Sequence, residues 1–313
     1  MDSAAIDRFE ASRSRLASLA YRLLGSAGDA EDAVQDAFLR WQAADRDRIE
    51  VPEAWLTKVV TNLCLDQLRS AHARYERAVG DLLPEPLLQG DPMLGPAETV
   101  EQRESVSLAV LTVMQRLAPV ERAAYVLREA FSYPHAEIAG ILDISESASQ
   151  QHVHRARRRV AAERPGGGRA ADPASARRVV EEFLTAATSG RVDQLVAMLT
   201  ADATMVSDGA GLAKRLLRFT TREQIAATVR AGFRPTPAKR RLAGGSVALH
   251  LTDVNGTPAV AAVVDGRVAG VVVFELRDGQ VASLCGIGAA DRLTRLNTVW
   301  GQHEPGAPLV AEW

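Results

Sequence analysis

Two stretches that cannot continue a helix cut this 313-residue chain into three parts. Residues 81–97, DLLPEPLLQGDPMLGPA, hold four prolines and two glycines, and residues 165–175, PGGGRAADPAS, hold three adjacent glycines. Proline removes a backbone donor and clashes with the preceding turn, while glycine loses the most backbone entropy on ordering. Neither stretch therefore sits inside a helix, and each reads as a linker between separately folding parts. The leucines of the first are unusual for a solvated spacer, so it is expected to dock on a domain surface.

The first part, residues 1–80, has helical periodicity throughout. Leu16, Leu19, Ala20, Leu23 and Leu24 mark one apolar face, and Val34, Ala37, Phe38 and Trp41 another. A third helix is expected from near Glu53 to Arg69, because Pro52 suits a helix start and Trp55, Val59, Val60, Leu63 and Cys64 recur at core spacing. Lys58, Asn62 and Arg69 fall on its other side.

The second part, residues 98–164, contains FSYPHAEIAGILDISESASQQHVHRARRRV, which reads as helix, tight turn, helix. Ile138, Ala139 and Leu142 form the first apolar stripe, Asp143 and Ile144 the turn, and Ser145 a cap for the second helix. Val153, Ala156 and Val160 continue inward on that helix. Gln150, Gln151, His154, Arg155 and Arg158 share the opposite face, the donor set of a helix laid in a DNA major groove. The blander alternative is a solvated helix end whose Arg155, Arg157, Arg158 and Arg159 merely complement the macrodipole.

The third part, residues 176–300 with a tail at 301–313, changes character. Two helices, near 176–188 and 192–199, precede valine-rich stretches at Val247–Leu251, Ala259–Val264, Val268–Leu276 and Val281–Ile287. Asn255-Gly256, Asp265-Gly266 and Asp278-Gly279 separate these stretches and are hairpin signals. Helices followed by an antiparallel meander imply an α+β domain whose curved sheet wraps a helix. The fold class is thus multidomain, with two all-α helical domains and one α+β cone domain.

Composition narrows the function classes. A mean hydropathy of -0.07 and the lack of any long apolar run exclude a membrane-spanning helix, and no membrane partner is expected. Thirty-seven cations against 39 acids leave a net charge of -2, which decides nothing about nucleic acid until its distribution is known. Cys64 and Cys285 lie far apart in apolar runs and read as buried thiols of a reducing cytoplasm, with neither a disulfide framework nor a metal cluster. No cofactor is expected. The polar, acidic N-terminus lacks a signal-peptide pattern, so a cytoplasmic location is expected.

Two separated stretches resemble the extracytoplasmic-function group of bacterial sigma-70 factors. SAGDAEDAVQDAFLRW with VPEAWLTKVVTNLCLDQLRSA is similar to sigma region two, and LAPVERAAYVLREAFSYPHAEIAGILDISESASQQHVHRARRRV to sigma region four. The resemblance implies core RNA polymerase (β′ clamp and β flap) and promoter DNA as partners. It implies that Asp32, Gln35, Asp36, Phe38 and Trp41 dock on the clamp, one of the two aromatics being core and the other partly exposed. It further implies that Lys58, Asn62 and Arg69 face the minus-ten element, and that Gln150, Gln151, His154, Arg155 and Arg158 face the minus-thirty-five element. Asn62 has an alternative role as an internal helix bridge.

The third part resembles the SnoaL-like domain of the nuclear transport factor two-like fold, which one subgroup of these sigma factors carries. In that subgroup a regulatory interface with the chain's own sigma regions is implied, here at Leu82, Leu83, Pro84, Glu85, Pro86, Asp208, Asp291 and Arg292. The chain departs from the subgroup in several places. Asp208-Gly209-Ala210-Gly211 and Ala289-Ala290-Asp291-Arg292-Leu293 stand for its Asp-Gly-Gly-Gly-Lys and Asn-Pro-Asp-Lys-Leu, Ala118 stands for a capping serine, and Thr57 for a frequent aromatic. Two other readings stay open at this level. One is a helix-turn-helix regulator with a ligand-sensing C-terminal domain; the other is an enzyme using Asp208 as base with Lys214 or His250 as donor, since this fold also hosts cyclases.

Overall fold

Helix α1 (Ser3–Leu24) turns Phe9, Leu16, Leu19, Ala20 and Leu23 into the interior, while Leu24 is half-buried at its end. Helix α2 (Ala27–Ala43) starts where Ser26 adopts extended geometry and its hydroxyl accepts from the Asp29 amide at 3.2 Å, satisfying a donor that the first turn leaves unpaired. Its buried Ala30, Ala33, Val34, Ala37 and Trp41 follow the helical period. Helix α3 (Pro52–Tyr75) starts on Pro52 and buries Leu56, Val60, Leu63 and Cys64. These three helices pack on one another as a bundle.

The structure is a computed structural model that describes residues 3–75, 83–95, 102, 105–163, 172–213, 215–234, 236–237, 241, 244–302 and 306–312. It divides into two units, Met1–Val79 with Gly90–Val160, and Gly80–Gln89 with Ala161–Trp313. The first linker is thus shared, its proline-leucine portion belonging to the second unit.

The remaining helices of the first unit are α4 (Leu108–Met114), α5 (Pro119–Glu129), α6 (His135–Leu142) and α7 (Glu146–Glu163). Ser107 caps α4 through the Val110 amide, whereas Ala118 gives α5 no side-chain cap. Two arginines lie in the interior of this unit. Arg22 is 1% exposed and donates to Ser105 Oγ at 3.0 Å and to the Leu94 carbonyl at 2.8 Å, and Arg122 donates to the Arg22 carbonyl at 3.4 Å. Burial pushes both guanidinium pKa values down to about 10, so each remains a cation at neutral pH.

In the second unit α8 (Pro173–Ser189) is capped by Asp172, which accepts from the Ala174 and Ser175 amides, and ends on Gly190 in left-handed conformation. Helix α9 (Val192–Met198) leads into β1 (Leu199–Ser207). Then follow β2 (Leu217–Phe219), α10 (Arg222–Phe233), β3 (Ala248–Val254), β4 (Thr257–Val264), β5 (Arg267–Arg277), β6 (Gln280–Ile287) and α11 (Thr294–Trp300). The sheet order is β2-β1-β6-β5-β4-β3, with β1 parallel to β6 and every other pair antiparallel. Asn255-Gly256, Asp265-Gly266 and Asp278-Gly279 all have positive φ at both positions, the geometry that matches two-residue hairpins to strand twist. Phe183 of α8 meets Phe274 of β5 edge-on at 5.5 Å, at the centre of a core that also takes Leu195, Ile225, Val229, Leu249 and Leu284.

The sequence-derived meander is therefore β3 to β6, extended by two strands and by α10 and α11, which the hydropathy pattern leaves undefined. The edge strand β3 is covered at both ends by other parts of the chain. Val254 pairs with Leu88, and Leu249 with Val310 of the segment read as a tail. Covering these open backbone groups removes a template for edge-to-edge association.

Candidate nucleic-acid interface

The helix-turn-helix is built as its residues dictate. Asp143 takes a left-handed conformation (φ 54°) at the end of α6, which turns the chain, and the Ser145 hydroxyl accepts from the Ala148 amide to start α7. Ile138 and Ile141 of α6 and Val153, Ala156 and Val160 of α7 are buried, while His135 and Ser149 bridge the two helices at 3.0 Å. Gln150, Gln151, His154 and Arg158 are exposed on the outer face of α7.

Arg155 is exposed too, but its Nε donates to Glu121 Oε1 at 2.8 Å, and Arg159 reaches the other oxygen of Glu121 at 3.3 Å. Arg157 pairs with Glu129 at 2.7 Å. Arg155 thus ties α7 to α5 through Glu121 while its side chain stays half exposed on the outer face. His152 lies beside it, accepting from Arg155 at 2.8 Å, and burial together with that cation lowers its pKa.

On α3 the three cited polar residues differ. Lys58 is half-buried and donates to the Gly140 carbonyl at 2.8 Å and to Asp143 Oδ1 at 2.7 Å. Asn62 is half-buried, and Arg69 is exposed and pairs with Asp66 at 3.4 Å. Thr57 is buried, and its hydroxyl lies 3.2 Å from both Arg15 Nη1 and Tyr133 Oη. Arg15 also donates to the Tyr133 hydroxyl and lies over the Phe131 and Tyr133 rings. Arg15 and Tyr133 are contact residues that the sequence reading missed; their role depends on a pairing across 118 positions that no local pattern reports.

On α2, Asp32, Gln35 and Asp36 are exposed and Phe38 is half-buried, stacked against Phe9 at 4.9 Å. Trp41 is 2% exposed, donates its indole N–H to the Ala5 carbonyl and lies 5.6 Å from Trp55. It is corrected from a docking residue to core. The apolar residue offered outward on this helix is Leu39, 53% exposed, which the sequence reading passed over.

In the second unit the linker is held at several points. The Leu87 amide donates to Asn255 Oδ1 at 2.8 Å, the Asn255 amide donates back to the Leu87 carbonyl at 2.8 Å, and Gln89 donates to the Asp253 carbonyl at 3.0 Å. Leu83, Pro84 and Pro86 are buried, and Glu85 lies 3.7 Å from Arg292. Leu82 falls outside the described residues. Asp291 is exposed and approaches Arg292 at 3.8 Å. Asp208 faces no linker atom in these bonds. Its carboxylate accepts from the Gly288 and Ala289 amides, both at 2.8 Å, and from Gly211 at 3.3 Å, tying two loops of the domain together. In this structure it serves as an internal tie of the domain. His250 is buried against Trp300 at 5.8 Å with Nδ1 at 3.0 Å from the Gly306 carbonyl; Lys214 falls outside the described residues.

Cys64 and Cys285 are free and buried, and burial pushes both thiols up to about 12. Among the described residues no group of His, Cys, Asp and Glu could hold a metal ion, and no helix is long and apolar enough to cross a membrane.

Comparison with known proteins gives this arrangement a class. Residues 8–74 match the family model for Sigma-70 region 2, and residues 107–160 that for Sigma-70, region 4. Those two regions in that order define a promoter-recognition subunit of bacterial RNA polymerase. The chain belongs to the extracytoplasmic-function (ECF) sigma factors of the sigma-70 family. It is 36% identical over 292 residues to the ECF RNA polymerase sigma factor SigJ of Mycobacterium tuberculosis, covering 92% of this chain and 93% of that protein. It is 30% identical over 282 residues to the probable ECF RNA polymerase sigma factor SigI of the same species, covering 88% and 90%. The crystal structure of SigJ superposes with a TM-score of 0.68 at 33% identity, covering 93% of this chain and 98% of that one.

Proposed function

We propose that this sigma factor recognises a two-part promoter through α3 and α7 and is regulated in cis by its C-terminal domain, which acts as a binding module and performs no covalent chemistry. The exposed acids Asp32 and Asp36, with the amide of Gln35 and the side chain of Leu39, form the surface for the polymerase β′ clamp: charge steers the encounter and the leucine supplies burial. Lys58, Asn62 and Arg69 face the minus-ten element, and Gln150, Gln151, His154 and Arg158 the minus-thirty-five element. The sigma regions work in the cytoplasm, where polymerase and promoter are.

The observation that carries the regulatory part is the bond from Lys58 to the turn of the helix-turn-helix. Elements named by their distance from the start site are some ~25 base pairs apart, or ~85 Å at ~3.4 Å per pair. A side chain that touches the turn at 2.7 Å cannot serve one element while the helix after that turn serves the other. Promoter binding therefore requires the two regions to part. The linker between them is the segment that Asn255 and Arg292 hold, so its docking limits how far they separate.

Binding to core RNA polymerase and initiation from a candidate promoter test this reading, with the full chain compared against Asn255→Gly. Core binding with altered promoter output in the variant is the expected result. Absence of core binding by the full chain would discard the polymerase surface, and unchanged output in Asn255→Gly would discard regulation through the linker.

A further inference from the structure

Residues 214–241, running from the approach to β2 through α10 and beyond, carry nine lysines and arginines and a single acid, Glu223. The chain as a whole is net -2, so the remainder is strongly acidic and this segment stands apart from it. Nothing in promoter recognition by regions two and four uses these cations. Arg215 precedes β2 and Arg218 lies on it, at the edge of the sheet; Arg230 and Arg234 lie one turn apart at the end of α10, and Arg241 follows. All five are exposed.

We propose that this segment is a second DNA contact, a sequence-independent one, in which the C-terminal domain holds duplex phosphates while the helix-turn-helix reads bases. The proposal rests on the reading of the chain as a promoter-binding sigma factor. Three observations favour DNA. Helix α10 is twelve residues long, ~18 Å at ~1.5 Å per residue, so its flanking arginines reach along about five base pairs. Exposed Thr220, Thr221 and Gln224 lie between the cations and supply short hydrogen-bonding groups of the kind that phosphate contacts use. Finally, Ile225, Ala226 and Val229 are buried in the domain core, which leaves α10 no apolar face to insert into a lipid surface.

The test is equilibrium binding of the full-length protein to a random-sequence duplex between ~50 and ~200 mM salt, for wild type and for the triple variant Arg215→Gln, Arg230→Gln, Arg241→Gln. Each phosphate contact contributes about 0.9 to the slope of log affinity against log salt, so the variant slope is expected to be shallower by about 2–3. If the triple variant loses its cooperative unfolding, the single variants R215Q and R230Q are read instead, each expected to lower the slope by about 1. A slope equal to wild type overturns the proposal. So does a variant that keeps wild-type DNA binding but loses capture by phosphatidylglycerol vesicles, an outcome that would assign the surface, with exposed Leu212 and Leu217 beside it, to lipid. Core polymerase binding is measured alongside: its loss in wild type and variant alike would sink the sigma reading, while the salt slope still decides the DNA contact.

Discussion

Lys58 Nζ lies 2.7 Å from Asp143 Oδ1, so a cation of region two is ion-paired with the residue whose left-handed backbone creates the turn of region four. The pair is largely solvated, 41% and 74% exposed, and a pair of that kind stabilises by less than about 1 kcal/mol. Asp143→Asn keeps a residue that tolerates the left-handed conformation and removes the charge. It is expected to raise promoter affinity of the free protein by up to about fivefold, because ~1 kcal/mol is a factor of about five in the closed-to-open ratio. A double-mutant cycle with Lys58→Met, read by promoter binding and by the separation of labels placed on α3 and α7, checks the coupling.

The arginines of α7 differ in their contacts: Arg155, Arg157 and Arg159 pair with acids of α5, and Arg158 faces outward as the proposed reader. Arg155→Ala is expected to lower the stability of the first unit by about 1 kcal/mol or less, since Arg159 still reaches Glu121. Arg158→Ala is expected to leave stability unchanged and to cost promoter discrimination about 1–3 kcal/mol. Thermal unfolding and competition between promoter and random duplex, measured on both variants, separate the roles.

His152 gives α7 a pH dependence. Its ring nitrogen accepts a hydrogen bond from Arg155, and a protonated ring cannot accept. The folded-state pKa is lowered, burial being the larger cause and Arg155 the second. The unfolded chain therefore binds the proton more readily, and this contribution to stability is complete above the unfolded value of ~6.5 and is lost as pH falls through the lowered folded value. Denaturant unfolding across that range should show wild type losing stability that His152→Gln retains.

Asn255 carries two jobs, the turn and the linker. Asn255→Gly keeps the positive φ but leaves the buried Leu87 amide without its acceptor, a loss of about 1–3 kcal/mol. The expected signature is faster hydrogen exchange at the Leu87 amide with little change at the amides of α2.

Ala210 holds a left-handed backbone (φ 59°) that an L side chain disfavours. Ala210→Gly should stabilise the second unit by about 0.5–1 kcal/mol. Gly288→Ala should destabilise it by about 1–3 kcal/mol, because the new Cβ would come within 2.6 Å of the Ala210 Cα. Melting temperatures that move in opposite directions are the check.

Much of this architecture was legible from pattern. The helical period located α1 to α3, Asp143-Ile144-Ser145 located the turn and the start of α7, and three Asx-Gly pairs located the hairpins β3 to β6. Those signals are local, and so survive without knowledge of the tertiary fold. β1 was missed because LTADATMVS lacks strand alternation and gains its place only by lying parallel to β6, across a register shift. The site residues divided on the same ground. Outward-facing Gln150, Gln151, His154 and Arg158 follow from the period of α7. The burial of Trp41 against Ala5 and Trp55, the pairing of Arg155 with Glu121, and the three amides around Asp208 arise from partners distant in sequence, which composition does not disclose.

The pairing of Leu87 with Asn255 spans 168 residues, and it sets an order of events during translation. When Leu87 leaves the ribosome the strand that will receive it has not been made, and at ~5–20 residues per second it waits on the order of ten to thirty seconds. Region two is complete before that interval opens and region four is synthesised within it, both ahead of the strands that will bind the segment between them. Every newly made copy thus passes through a period in which its sigma regions exist without the domain that holds the segment between them, and a truncation after region four leaves the protein permanently in that juvenile form.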